Sequence, residues 1–206
     1  MEWYTVCEGL VDTHGSGAAK YPSINVRSNL TTTFKEKWLE TINTSPKLEF
    51  YKTFKREFSF EKYLLIGNSY HRAALTRIRI SAHDYYIERG RYAQPKIPRN
   101  DRSCIYCLLQ SNHSIIENEE HVIYECPLYS TIRSNIFPNW AYPHDPDHSS
   151  NIQAMFNSNL LTPELNSKIA KLVFQIQESH SIFKDLYLNS HCQHIINLLT
   201  HQCIIL

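Results

Sequence analysis

Four residues constrain this chain more than any others: Cys104, Cys107, His121 and Cys126, with two, thirteen and four residues between successive members. A Cys-x-x-Cys turn can aim two sulfurs at one ion, and a histidine and a cysteine a short distance further on complete a tetrahedral set. Three thiolates and a neutral imidazole suit Zn²⁺ in softness and in number. With four protein donors no position is left open for water, so the expected site is structural, holding one Zn²⁺. Binding of the ion would be coupled to folding of the local loop. The competing readings are two ordinary buried thiols or a redox pair, and no βαβ pattern surrounds the pair to support the latter. His113 competes for the third ligand position; His121 is preferred because Glu119-Glu120-His121 leads an apolar stretch that fixes its orientation.

The remaining cysteines carry weaker signals. Cys192 and Cys203 stand with His191, His194 and His201 near the C-terminus, without a Cys-x-x-Cys turn and among Ile195, Ile196, Leu198 and Leu199. Packing or surface roles on an apolar helical tail over 189–206 are the expectation there. Cys7 and His14 receive no role. The opening MEWYTVCEGLVDTHGSG has no basic n-region and no long apolar h-region, so a secretory signal is not expected. No apolar run approaches the roughly 18 residues of a membrane span. The expectation is an intracellular protein without membrane contact, with nucleus or cytoplasm left open, in which cysteines serve as ligands or buried thiols.

Around the quartet the pattern is helical. Residues 1–30 show no clear apolar period and read as a poorly ordered lead-in. Thr33 and Glu36 have capping-box spacing, followed by Phe34, Trp38 and Ile42 at helical intervals. Ser45-Pro46 starts a second helix with Leu48, Tyr51, Phe54 and Phe58 on its buried face and Lys47, Lys52, Lys55 and Arg56 toward solvent. Residues 70–89 read as one helix stopped by Gly90, with Leu75, Ile78, Ala82 and Tyr85 inward. Pro127 opens a helix through Phe137, residues 138–150 form a loop, and Thr162-Pro163-Glu164 opens a long helix facing inward through Leu165, Ile169, Leu172, Ile176, Phe183 and Tyr187. The expected fold class is therefore mainly α: a helical domain over 31–188 with a small irregular CCHC zinc knuckle, residues 100–127, inserted between helices.

The 206 residues carry a formal net charge of +1, which excludes a polycation that coats nucleic acid with its whole surface. The total is a cancellation. Residues 63–102 hold eight Lys/Arg and three Asp/Glu, whereas residues 103–206 hold four and nine. Two readings of the basic stretch stand side by side. Arg72, Arg79, Arg91, Arg99 and Arg102 project on one side and bind phosphates, with Tyr85, Tyr86 and Tyr92 available to stack on bases. Alternatively these arginines pair internally with Glu117, Glu119, Glu120 and Glu125, leaving a protein-interaction or purely structural module. No GxxxxGK[ST] loop, GxSxG elbow or HExxH helix is present. Neither catalysis nor a small-molecule substrate is expected.

LTRIRISAHDYYIERGRY, PRNDRSCIYC and ENEEHVIYECPLYSTIRSNIF together resemble the zinc-binding segment found downstream of reverse transcriptases in non-LTR retrotransposons. KWLETINTSPKLEFYKTFKREFSFEKYL upstream and LLTPELNSKIAKLVFQIQESHSIF downstream are similar to the helices that flank that segment, so the resemblance spans residues 30–185. It implies the ligand set Cys104, Cys107, His121 and Cys126 and a role in contacting element RNA or target DNA. It does not imply reverse transcription, since no polymerase domain with paired aspartates is present. The chain then reads as a remnant of such a polyprotein or as a stand-alone protein derived from one.

Overall fold

The structure, a computed structural model, describes residues 23–138 and 154–189. Its helices are α1 (Ser23–Thr44), α2 (Glu49–Phe54), α3 (Ser69–Arg79), α4 (Tyr86–Tyr92), α5 (Ile105–Ser111), α6 (Ser130–Ile136) and α7 (Pro163–Asn189). Short 3-10 turns at Pro46–Leu48, Lys62–Leu65, Arg99–Asp101 and Pro127–Tyr129 and a π-turn at His121–Glu125 join them. Among the described residues no strand forms; one isolated antiparallel bridge links Ser103 to Ile116. The protein is thus mainly helical, as the periodicity indicates, and none of these helices is long and apolar enough to cross a membrane.

By packing, the chain divides between Lys37 and Trp38. Of the first unit, residues 28–37 lie on α1 and are exposed. In the second unit α7 is the spine. Thr162 caps it, its hydroxyl accepting from the Leu165 amide at 3.2 Å, and Pro163 takes the first helical position, where no N–H is needed. Ile169, Ala170, Leu172, Val173 and Ile176 are buried along one side of α7. They face chiefly α3, whose Ala74, Leu75 and Ile78 are equally buried, while α6 and the π-turn pack further along. Phe50 and Phe54 of α2 close the end of this core against Phe156, with ring centroids 5.2 and 5.5 Å away. Full burial of such side chains contributes about 1.5–3 kcal/mol each.

Several sequence expectations are corrected here. The lead-in is shorter than expected, because α1 begins at Ser23. Thr33 and Glu36 therefore lie inside α1 rather than at its start, and the Thr33 hydroxyl donates to the Asn29 carbonyl at 3.0 Å. The second helix stops at Phe54. Lys55 turns into an extended conformation and is buried, its Nζ 2.9 Å from the Ser59 carbonyl and 3.6 Å from Glu61, so neither a solvated Lys55 nor a buried Phe58 is found.

The single helix expected over 70–89 is two. It breaks after Arg79 at Ser81, which adopts φ 49° and donates its buried hydroxyl to Glu119 at 2.6 Å. Gly90 does not stop the second piece either; α4 runs on to Tyr92, and Gly90 is buried against Arg102. The Pro127–Phe137 expectation holds as a 3-10 turn leading into α6. Residues 1–22, 139–153 and 190–206 lie outside the described residues, and with them most of the lead-in and of the 138–150 loop, the apolar tail, Cys7, His14, His191, Cys192, His194, His201 and Cys203.

Candidate metal centre

Each of the four cluster residues is positioned by a different local device. The bridge between Ser103 and Ile116 is closed by Cys104 N–H donating to Ile115 C=O at 2.7 Å and Glu117 N–H donating to Arg102 C=O at 2.8 Å. It fixes the backbone on both sides of Cys104. Cys104 then caps α5 in an extended conformation, and Cys107 falls in the first turn of that helix, so their sulfurs converge. The helix ends at Asn112 in the left-handed region, φ 55°, a conformation asparagine tolerates.

His121 and Cys126 come from the π-turn. Asn118 starts it by accepting the His121 amide on Oδ1 at 2.8 Å, and the turn closes with Cys126 N–H on His121 C=O at 2.7 Å, five residues apart. In an α-helix five residues advance about 500°, leaving the two side chains roughly 140° apart. The wider π-turn brings them back to one side, and single π-turns are frequent at functional sites.

The resulting donor atoms of Cys104, Cys107, His121 and Cys126 all lie within 4.8 Å of one another, and all four residues are buried. Cys104 Sγ is 3.9 Å and Cys107 Sγ 4.0 Å from Cys126 Sγ, and Cys107 Sγ is 3.4 Å from His121 Nε2. These separations are far beyond the roughly 2.04 Å of a disulfide. They are close to the edges of a tetrahedron around an ion with metal–sulfur bonds of about 2.3 Å, which are about 3.8 Å long. The quartet could therefore hold a metal ion. His113, the competing ligand, is exposed and lies outside the cluster.

The electrostatics suit cation binding. The Cys126 thiol hydrogen-bonds Cys104 and brings it down to about 4 against the pull of burial, and it lowers Cys107 in the same way. Those same hydrogen bonds push Cys126 up. Burial favours neutral His121, but the hydrogen bonds its ring donates to Cys104 and Glu125 overcome it and raise the imidazole to about 10. The Cys104 thiolate thus stands beside protonated Cys126 and His121, and an entering cation would displace those protons.

The cluster is tied to the core by groups that the spacing argument does not find. Buried Arg133 of α6 donates to the Cys126 carbonyl at 2.7 Å and to the Ile123 carbonyl at 3.4 Å. Tyr129 shares a 2.8 Å hydrogen bond with His180 Nδ1 on α7. Burial keeps His180 neutral, down to about 4. Nothing short-range in the sequence announces these partners, which lie seven to fifty-one residues apart.

The five arginines do not form one exposed face. Arg79 is 1 % exposed; it is 2.6 Å from Glu61, donates to the Phe156 carbonyl, and stacks over the rings of Phe54 and Tyr63 at 4.5 and 4.6 Å. Arg102 is buried and spends its guanidinium on the Ile97 and Ile87 carbonyls. Half-buried Arg72 donates to the Ile66 carbonyl. Arg91 pairs with Glu88 at 2.9 Å, and only Arg99 is well exposed, 3.6 Å from Glu49.

Internal pairing is therefore extensive, but its acidic partners are Glu61, Glu88 and Glu49 rather than the segment 117–125. In that segment, Glu117 receives the Tyr86 amide at 2.7 Å, Glu119 takes Ser81 and His83, and Glu125 takes His121. No protein-family model, curated protein or solved structure matches the chain, and the reading of the site rests on its own geometry.

Proposed function

We propose that Cys104, Cys107, His121 and Cys126 bind one structural Zn²⁺ and that the chain is a non-catalytic module of non-LTR retrotransposon origin, organised around that ion. The observation that carries the metal assignment is the burial of four soft and borderline donors at tetrahedral edge distances. All four donors come from the chain, which leaves the ion no open position for substrate or water and makes its role structural. It would clamp the start of α5 to the π-turn, and through Tyr129 and Arg133 to α6 and α7. Purified protein should contain about one zinc per chain, and Cys107→Ser should lose it together with local folding. A folded wild type that binds no zinc would end this reading.

A second reading, contact with RNA or DNA, draws on the resemblance to the retroelement segment and on one surface feature. Lys47, Arg91 and Arg99 line a common cleft of about 140 Å³ between the start of α2 and the end of α4. Glu49, Glu88, Glu119 and Glu120 line it as well, so the cleft is not a simple cationic groove. Arg91 and Arg99 are then the phosphate-contacting residues, while Arg79 and Arg102 serve the interior. Titration with single- and double-stranded RNA and DNA should show affinity that falls steeply with salt and is reduced by Arg99→Ala. Undetectable binding at low ionic strength leaves the structural and protein-interaction role alone.

A further inference from the structure

His121 offers the cluster its Nε2, the nitrogen 3.4 Å from Cys107 Sγ. Its other nitrogen, Nδ1, points away from the sulfurs and meets Glu125 Oε2 at 3.2 Å. The two ring nitrogens of a neutral imidazole cannot both present lone pairs. If Nε2 is to bind an ion, the proton must sit on Nδ1 and needs an acceptor there. Nδ1 could donate to a carboxylate, and an ionised carboxylate can only accept. The π-turn supplies that geometry: Glu125 is four residues after His121 and immediately before Cys126. One turn thus carries a ligand, the group that orients it, and a second ligand.

The charge is also provided for. Zn²⁺ with three thiolates carries a net charge of −1, and a neighbouring carboxylate adds to it. Buried Arg133 donates to the carbonyls of Ile123 and Cys126, on either side of Glu125, and brings a positive charge to the same turn. Glu125 itself keeps 30 % side-chain exposure, so its carboxylate is not forced to lose its hydration.

We propose that Glu125 is the positioning residue of the metal centre, holding His121 in its Nδ1–H tautomer with the Nε2 lone pair directed at the ion. This rests on the metal reading above. The test measures zinc affinity by competition with a chromophoric chelator for wild type, Glu125→Gln and Glu125→Ala. The ¹⁵N resonances of the His121 ring are recorded on the zinc-loaded wild type. Glu125→Ala should bind zinc about 10- to 100-fold more weakly, in line with the loss of other partners that orient metal-bound histidines. Glu125→Gln, whose amide oxygen still accepts from Nδ1–H, should recover most of that loss.

Rescue of zinc affinity by Gln, with Nε2 of His121 on the metal, is an outcome that a purely structural role would not give. Equal zinc affinity for wild type and Glu125→Ala, or coordination through Nδ1, overturns the proposal while leaving the metal site intact. Failure of the wild type to bind zinc at all removes the metal reading itself. The ring spectrum needs no variant, so coordination through Nδ1 would overturn the proposal even if Glu125→Ala folds poorly, and Glu125→Gln keeps the affinity comparison available.

Discussion

Gly90→Ala separates helix propensity from packing. Within α4, replacing glycine by alanine should stabilise the helix by about 1 kcal/mol. The environment opposes it. A Cβ at position 90 would sit 2.7 Å from Arg102 Cδ and 2.8 Å from Cγ and Nε, whereas carbon contacts are favourable only near 3.5–4.0 Å. Arg102 would have to yield by roughly 0.7 Å. It is held by three hydrogen bonds, from Nε and Nη2 to the Ile97 carbonyl at 3.0 and 2.7 Å and from Nη1 to the Ile87 carbonyl at 2.7 Å. Those acceptors are themselves anchored, Ile97 N–H to Gly90 C=O at 3.0 Å and Ile87 N–H to Glu117 C=O at 3.1 Å.

Overpacking costs about 1–3 kcal/mol, and weakening a hydrogen bond from a charged donor costs about 1.5–3 kcal/mol. Against the propensity gain, Gly90→Ala should destabilise the protein by about 2 kcal/mol in urea unfolding at saturating zinc. The same change made in Arg102→Ala should be neutral or stabilising by up to about 1 kcal/mol, a coupling of about 2–3 kcal/mol. A stabilised Gly90→Ala single variant, or an equal cost in both backgrounds, would refute the argument.

Glu117→Gln tests the buried acid beside the cluster. Burial, with the nearby Cys104 charge, raises Glu117 to about 7, although the Tyr86 amide bond opposes the rise. A carboxyl raised from 4.5 in this way costs the fold nothing below its unfolded value, where both states are protonated. The cost accumulates as pH climbs from 4.5 toward 7, where only the unfolded chain ionises, and levels off above 7 at about 3 kcal/mol. The variant, permanently neutral, should therefore gain stability over wild type at pH 8 and lose that gain by pH 4.5; a pH-independent difference would contradict the assignment. Arg79→Ala removes the closest partner of Glu61, at 2.6 Å, and leaves Lys55 at 3.6 Å, so it should cost about 3 kcal/mol, with zinc affinity unchanged when measured at saturating folded fraction. An Arg79→Ala protein of wild-type stability would show the pair to be superficial.

The sequence made some of this legible and hid the rest for physical reasons. The quartet could be read because metal geometry imposes its own spacing, and α7 because its hydroxyl–proline start and apolar stripe are local signals. The break at Ser81 was hidden: its positive φ is held by a hydrogen bond to Glu119, thirty-eight residues away. Gly90 resembles a helix stop in the sequence, but its role is to make room for Arg102 across the chain, not to end a helix. The sequence leaves the arginines between an exposed and an internally paired role because charge patterns do not reveal the carbonyls of Phe156, Ile97 and Ile87 that take two of them up. Lys55 was misplaced for the same reason, with Ser59 and Glu61 as its hidden partners.

The π-turn has a consequence for how this sequence can change in length. Between α5 and the bridge that anchors Cys104 the chain includes an exposed loop, residues 112–114, whose insertions or deletions would alter a surface turn without moving a donor. Between His121 and Cys126 there is no such slack. Deleting one residue would tighten the turn and rotate Cys126 by about 100° relative to its partner. The two longer spacers of the quartet should therefore evolve at different tempos, the thirteen-residue one free to drift and the four-residue one fixed by the pitch of a single turn.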